Sequence, residues 1–287
     1  MRENLNFDPV SEDIPKIDSE YPPGVRSVIF TSEEKKLLGT ILTANGKGPN
    51  PAVLLLHGFP GNENNFDLAQ SIRRAGYTVV FFHYRGLWGS EGNFSFSNAL
   101  KDTENVITQL MEMPPKNDFR LDPSDITLIG HSMGGWLAMM NGRNFPEIKR
   151  IAFLAGFNFG YFASLMLNND EFIEITKQSL VESENYLGTC KADILYDEMI
   201  RNMTEWDLTT YSEALSKKDI LMAGARLDEM APVPFHHVPL LNSLQTQGIK
   251  SLKETIINSG HSFSGKRIEL QKLAIDWLLR RENENAE

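Results

Sequence analysis

The sequence predicts an α/β fold: a mostly parallel, eight-stranded sheet flanked by helices and interrupted by one helical insertion. Three observations predict it. Short, continuous apolar runs such as Ala52-Val53-Leu54-Leu55-Leu56 alternate with segments of helical periodicity, the pattern of parallel strands joined by crossover helices. That alternation stops over residues 158–216, which read as helical throughout, and then resumes. Between one apolar strand and one apolar helix lies Gly130-His131-Ser132-Met133-Gly134, a turn too tight for side chains at its two ends.

Taken in order, residues 1–24 form a polar arm that ends in Tyr21-Pro22-Pro23-Gly24. Residues 25–31 and 36–43 read as an antiparallel hairpin at a sheet edge, joined by the polar Ser32-Glu33-Glu34-Lys35. Residues 52–56 are apolar throughout, hence a central strand, which ends in His57-Gly58-Phe59-Pro60-Gly61. Open α/β sheets bind ligands at such strand ends. Pro60 biases Phe59 toward extended backbone, so the Phe59 amide stays outside any following helix. It is the first candidate donor of an oxyanion hole, with the Met133 amide as the second.

A helix over 66–73 stops near Gly76, and a strand follows over 77–82. The next loop, Tyr84-Arg85-Gly86-Leu87-Trp88-Gly89-Ser90-Glu91-Gly92, is not a G-x-G-x-x-G nucleotide loop. Its Arg85 is expected in a structural ion pair. Residues 98–113 have helical spacing and are closed by Pro114-Pro115.

At Gly130–Gly134 the tight turn lifts the Ser132 hydroxyl above the sheet. It also aims the first free amides of the next helix at the same point, where negative charge would develop. Ser132 is therefore the candidate nucleophile. Residues 150–155 form another strand, and the insertion that follows would lie over the carboxyl ends of the strands and cap the site. Phe157, Phe159, Tyr161, Phe162 and Met166 are candidates to line an apolar pocket beneath it.

Strand character returns at 219–224, and Asp228 lies in the loop beyond it. A carboxylate there would fix the tautomer of a catalytic histidine and stabilise its imidazolium; the adjacent Glu229 is the alternative. The last strand spans 251–257, and a closing helix runs from Arg267 to about Arg281. His261, in the loop between them, is the only one of six histidines to follow Asp228 after the final strand, and it is the candidate general base. The expected organisation is an arm over 1–24, a core over 25–157 and 217–287, and a helical cap over 158–216.

Composition narrows the partners. A net charge of −10 and a pI near 5.2 repel a phosphate backbone, so nucleic acid is not expected. Cys190 is the single cysteine, which excludes an intrachain disulfide and a cysteine-rich metal site. Neither a signal-peptide core nor a membrane-spanning run follows Met1, so a cytoplasmic location without membrane association is expected. No metal or cofactor is implied, the expected partner is a small-molecule ester, and a homodimer is left open.

The order Ser132, Asp228, His261 resembles that of α/β-hydrolases of the serine esterase and lipase kind, over about residues 25–281. His57-Gly58-Phe59, Gly130-His131-Ser132-Met133-Gly134, Gly224 with Asp228, and Gly260-His261 carry the resemblance together. The loop from Tyr84 to Gly92 is similar to that of bacterial acyl esterases of the dienelactone-hydrolase and prolyl-oligopeptidase-like group. Such peptidases usually bear a large propeller that this chain is too short to hold. Dienelactone hydrolases use a cysteine where this chain has Ser132. The resemblance implies ester hydrolysis through an acyl-serine, and the apolar insertion and negative net charge favour small uncharged acyl or aromatic esters. A peptidase, amidase or acyltransferase on the same triad, or a binding protein without turnover, is the alternative.

Overall fold

The computed structural model describes residues 5–280. Its strands are β1 (Gly24–Ser32), β2 (Lys35–Thr43), β3 (Asn50–Leu56), β4 (Thr78–Phe82), β5 (Leu121–His131), β6 (Arg150–Leu154), β7 (Asp219–Ala225) and β8 (Ser251–Ile257). They form one sheet in the order β1-β2-β4-β3-β5-β6-β7-β8. β1 pairs antiparallel with β2, and β2 with β4; every other pair is parallel. The hairpin turn is shorter than its polar stretch suggests, because Ser32 pairs with Lys35 and only Glu33 and Glu34 remain. Both take positive φ, 45° and 65°, as a two-residue turn must to match the strand twist.

The helices are α1 (Phe66–Arg74), α2 (Phe96–Met111), α3 (Met133–Gly142), α4 (Phe159–Met166), α5 (Asp170–Leu187), α6 (Ala192–Arg201), α7 (Ser212–Leu215), α8 (Val233–Thr246) and α9 (Arg267–Leu279). α2 starts two residues earlier than its apolar spacing suggests, because Ser95 caps it by accepting from the Asn98 amide at 3.1 Å. Arg281 and the rest of the core range to 287, like residues 1–4 of the arm, lie outside the described residues.

The continuous apolar runs are explained by a sheet covered on both faces. On β3, Ala52, Leu54 and Leu56 face one core with Val106, Ile107 and Leu110 of α2 and Leu240 of α8. Val53 and Leu55 face the other, with Leu68 and Ile72 of α1 and Ala274 and Trp277 of α9. The arm packs on this second face through Leu5 and Val10, and Arg74 donates from Nε to the Pro9 carbonyl at 2.6 Å.

Register brings the candidate residues to one edge of the sheet. Leu56 lies opposite Gly130, His131 opposite Leu154, Leu154 opposite Ala223, and Ala225 opposite Ile257. The loops carrying Phe59, Ser132, Asp228 and His261 therefore leave the same carboxyl edge. α4 to α7 all lie between β6 and β7. The fully buried Asn158 clasps the base of this segment: its Oδ1 accepts from the Leu208 amide and its Nδ2 donates to Asp207 Oδ1, both at 3.1 Å. Among the described residues no helix is long and apolar enough to cross a membrane.

Candidate active site

Ser132 joins β5 to α3 with φ 57° and ψ −123°, a left-handed conformation that costs a non-glycine residue about 1–3 kcal/mol. Close approach explains the flanking glycines. A Cβ on Gly130 would overlap the Gly134 carbonyl, and one on Gly134 would overlap the Leu56 carbonyl. The serine backbone is held by its neighbours. Its amide donates to the Leu154 carbonyl at 3.0 Å, and its carbonyl accepts from Gly135 at 3.0 Å and Phe157 at 3.1 Å. The strain is thus imposed by surrounding strands, and the side chain is left at a cavity wall.

Asp228 and His261 meet across the last two strands. His261 Nδ1 lies 2.7 Å from Asp228 Oδ2, and the carboxylate is fully buried. The loops are tied first: the Arg226 amide donates to Ile257 at 2.8 Å, and the Leu227 amide to Ser259 at 3.0 Å. The other carboxylate oxygen accepts from the amides of Met230 at 2.9 Å and Ala231 at 2.7 Å. Burial opposes ionisation of Asp228, but these donors outweigh it and hold its pKa below the ordinary value. Glu229, the alternative, is exposed at the cavity rim and has no bond to His261.

The Phe59 amide and the Met133 amide make no hydrogen bond among the described residues. Both residues line the cavity that Ser132 and His261 line. The 57–61 loop is braced from the loop after β4. Tyr84 donates its hydroxyl to the His57 carbonyl at 3.0 Å, and Trp88 donates from Nε1 to the Pro60 carbonyl at 2.9 Å. Arg85 anchors that brace as a structural ion pair: its amide and Nε each donate to Asp102 at 2.8 Å.

The cavity has a volume of about 300 Å³. Phe157, Phe159 and Phe162 line it as expected, but Tyr161 and Met166 do not. Phe159 and Phe162 are three apart on α4 and share a face, whereas Tyr161 falls on the other side. Met166 shares the face but lies one turn further along, fully buried in the core. The far wall, missed in the sequence, is α5, with Phe172, Ile175, Thr176, Ser179 and Leu180.

Buried histidines surround the site. His131 Nε2 lies 2.9 Å from the His261 carbonyl, which can only accept, so His131 carries its proton on Nε2. Burial, reinforced by the nearby His261, lowers its pKa to about 3. His57 bonds the Gly58 carbonyl from Nδ1 at 2.7 Å, and His236 Nδ1 accepts from the Asn158 amide at 3.1 Å. Burial lowers both to about 3. Among the described residues no three His, Cys, Asp or Glu side chains gather as a metal site needs.

Comparison with known proteins agrees with this architecture. Over 140 residues the chain is 27% identical to an uncharacterized protein of Mycobacterium tuberculosis; the match takes in 48% of each, so the chain spans about half that relative's length. An acylaminoacyl peptidase of Pyrococcus horikoshii superposes with a TM-score of 0.69 at 17% identity, covering 92% of this chain and 42% of that one. An esterase of Pyrococcus furiosus superposes with a TM-score of 0.65 at 15% identity, covering 94% and 99%. Likeness at this level of identity reports the fold. The sequence profile of the alpha/beta hydrolase family matches residues 53–241, from the central strand through the elbow and into α8. The chain therefore belongs to the alpha/beta hydrolase family.

Proposed function

We propose that this chain is a serine hydrolase cleaving carboxylic ester bonds of small uncharged acyl or aromatic esters through an acyl-serine intermediate. One observation carries the reading. Ser132 and His261 line the same cavity, and the Nδ1 of His261 is committed to Asp228, which leaves Nε2 as the basic nitrogen of the ring.

In this reading His261 Nε2 takes the Ser132 proton as Oγ attacks the ester carbonyl, and the Phe59 and Met133 amides hold the oxyanion. His261 then returns that proton to the departing alcohol. Water, deprotonated by the same nitrogen, releases the acid and frees Ser132. Asp228 keeps the proton of the resting ring on Nδ1 and stabilises the imidazolium. Residues 158–216 act as a cap that excludes water from the acyl-serine. The phenylalanine lining favours uncharged groups, and Glu229 at the rim disfavours anions.

Covalent labelling with a fluorophosphonate, mapped by peptide mass spectrometry, tests this together with hydrolysis of p-nitrophenyl acetate and butyrate. A single adduct on Ser132 with turnover is expected; neither adduct nor turnover sinks the assignment. The superposition on an acylaminoacyl peptidase keeps amide cleavage as the second reading. Ester and anilide substrates sharing one acyl group separate the two, because only the amide demands protonation of a leaving amine.

A further inference from the structure

α5 turns one face to the cavity: Phe172, Ile175, Thr176, Ser179 and Leu180, spaced as successive turns of a helix require. Three of the five are apolar, as the rest of the lining leads one to expect. The other two carry hydroxyls. Several other hydroxyls within helices find a partner, either on the carbonyl four residues earlier, as Thr103 does on Ala99 at 2.8 Å, Thr108 on Glu104 at 3.0 Å and Ser183 on Ser179 at 3.0 Å, or on another element, as Ser243 does on the Thr209 carbonyl at 3.1 Å. The hydroxyls of Thr176 and Ser179 make no hydrogen bond among the described residues. Valine and alanine would cover an apolar cavity as well. Half-buried and without a protein partner, these two hydroxyls one turn apart form a polar spot on an otherwise apolar face of α5.

We propose that this spot binds a hydroxyl carried on an aromatic ring, so that one limb of the substrate is a hydroxyaryl group. The proposal rests on the serine hydrolase reading of the same site and names its substrate class. A hydroxyl both donates and accepts, so it satisfies one side chain in each direction. The rings of Phe157, Phe162, Phe172 and Phe235 offer faces and edges on which an aryl group packs better than a flexible chain. A cavity of about 300 Å³, at about 30 Å³ for each water-sized unit, holds about ten non-hydrogen atoms, a ring with a short tether and its substituent. The Glu229 carboxylate at the rim selects against a carboxylate or phosphate in place of the hydroxyl.

Two substrate pairs place the ring on either limb. The first is methyl 3-(4-hydroxyphenyl)propanoate against methyl 3-phenylpropanoate; the second is the acetate of 2-(4-hydroxyphenyl)ethanol against that of 2-phenylethanol. In one pair the hydroxylated ester is expected to show kcat/KM about tenfold above its plain partner, the gain of two neutral hydrogen bonds. The double variant Thr176→Val with Ser179→Ala brings that ratio to about 1, as Ser179→Ala alone does in part. Fluorophosphonate labelling of Ser132 identifies folded protein in each case. A wild-type ratio near 1 in both pairs, or a ratio that survives the double variant, overturns the proposal while leaving a labelled Ser132 and the hydrolase reading intact. Absence of both labelling and hydrolysis in the wild type overturns the two together.

Discussion

The imidazole of His131 donates its Nε2–H to the main-chain carbonyl of His261 at 2.9 Å, so the residue before the candidate nucleophile holds the backbone of its proposed base. The two rings lie 4.8 Å apart, and burial keeps His131 neutral beside the ring that takes the proton in the proposed mechanism. Its Nδ1 is buried and has no partner among the described residues. An unsatisfied nitrogen costs about 1–3 kcal/mol, which phenylalanine would avoid. The hydrogen bond to His261 is what phenylalanine cannot supply. His131→Phe is expected to lower kcat about tenfold with KM within about twofold, and His131→Gln, which keeps a donor, to recover most of the loss. Steady-state kinetics on p-nitrophenyl butyrate decides it; equal kcat in the Phe variant and the wild type removes the positioning role.

Ser132→Ala is expected to lower turnover by about 10⁶-fold, and His261→Ala by a similar factor, because the pair acts as one unit. Asp228→Asn is expected to cost about 10⁴-fold. Its Oδ1 can still accept from Met230 and Ala231, so its amide nitrogen faces His261 Nδ1 and forces the ring proton onto Nε2, where the base is needed. Near-normal kcat in Asp228→Asn, with Ser132 still labelled, would falsify that account of the carboxylate.

Stability is expected to fall on acidification because three histidines are buried in the neutral form. His57, His131 and His236 have folded pKa values near 3 against an ordinary value of 6.5, with burial the leading cause. Well above pH 6.5 these rings are neutral whether the chain is folded or not, and they contribute no pH dependence. Below it the unfolded chain binds protons that the folded one refuses, so stability drops as pH falls from 6.5 toward 3. At pH 5.5 the three together remove roughly 4 kcal/mol. The lowered pKa of Asp228 works in another window, its stabilisation being lost only as pH falls below the ordinary 3.8. Thermal melts between pH 8 and 5 check this, and a flat Tm across that range contradicts it.

Gly134→Ala places a methyl group against the Leu56 carbonyl, backbone that cannot swing aside. A loss of about 3 kcal/mol or more is expected, or failure to accumulate as folded protein. Gly188→Ala is a useful control. Gly188 sits at φ 66° with open space around it, so only its backbone strain is felt. Denaturant melts of the two variants should differ by more than their uncertainty, with Gly134→Ala the less stable.

The sheet was legible because its strands are covered on both faces: a run such as Val53 to Leu56 admits few alternatives. The meeting of Asp228 and His261 was legible because two loops leaving one sheet edge carry a carboxylate and an imidazole in order. What stayed hidden depends on side-chain direction across long separations. Nothing in the spacing of Trp88 and Pro60 announces their hydrogen bond, and His131, read as part of a turn, gave no sign of its partner 130 residues away. On α4, Phe159 and Phe162 reach the cavity, whereas Tyr161 and Met166 fall away from it through rotation and rise, which composition does not encode. The hydroxyl face of α5 is similar: Thr176 and Ser179 read as ordinary polar helix positions until the wall they belong to is in place.

The clasp at Asn158 separates two kinds of change. β6 and β7 are paired neighbours, and the polypeptide between them leaves and returns through one neck, where Asn158 meets Asp207 and Leu208. What lies beyond that neck supplies no rung of the sheet, and it meets the body through side chains and loops instead, as Glu198 does at the Phe96 amide and Trp206 at Trp136. Ser132, Asp228 and His261 stay on the sheet side of the neck, and the part of the cavity wall that α4, α5 and α6 supply lies on the other. In the proposed reading, substitutions on the cavity-facing side of that segment change what the site accepts and leave Ser132, Asp228 and His261 where they are, provided that the contacts of Glu198 and Trp206 with the body are kept.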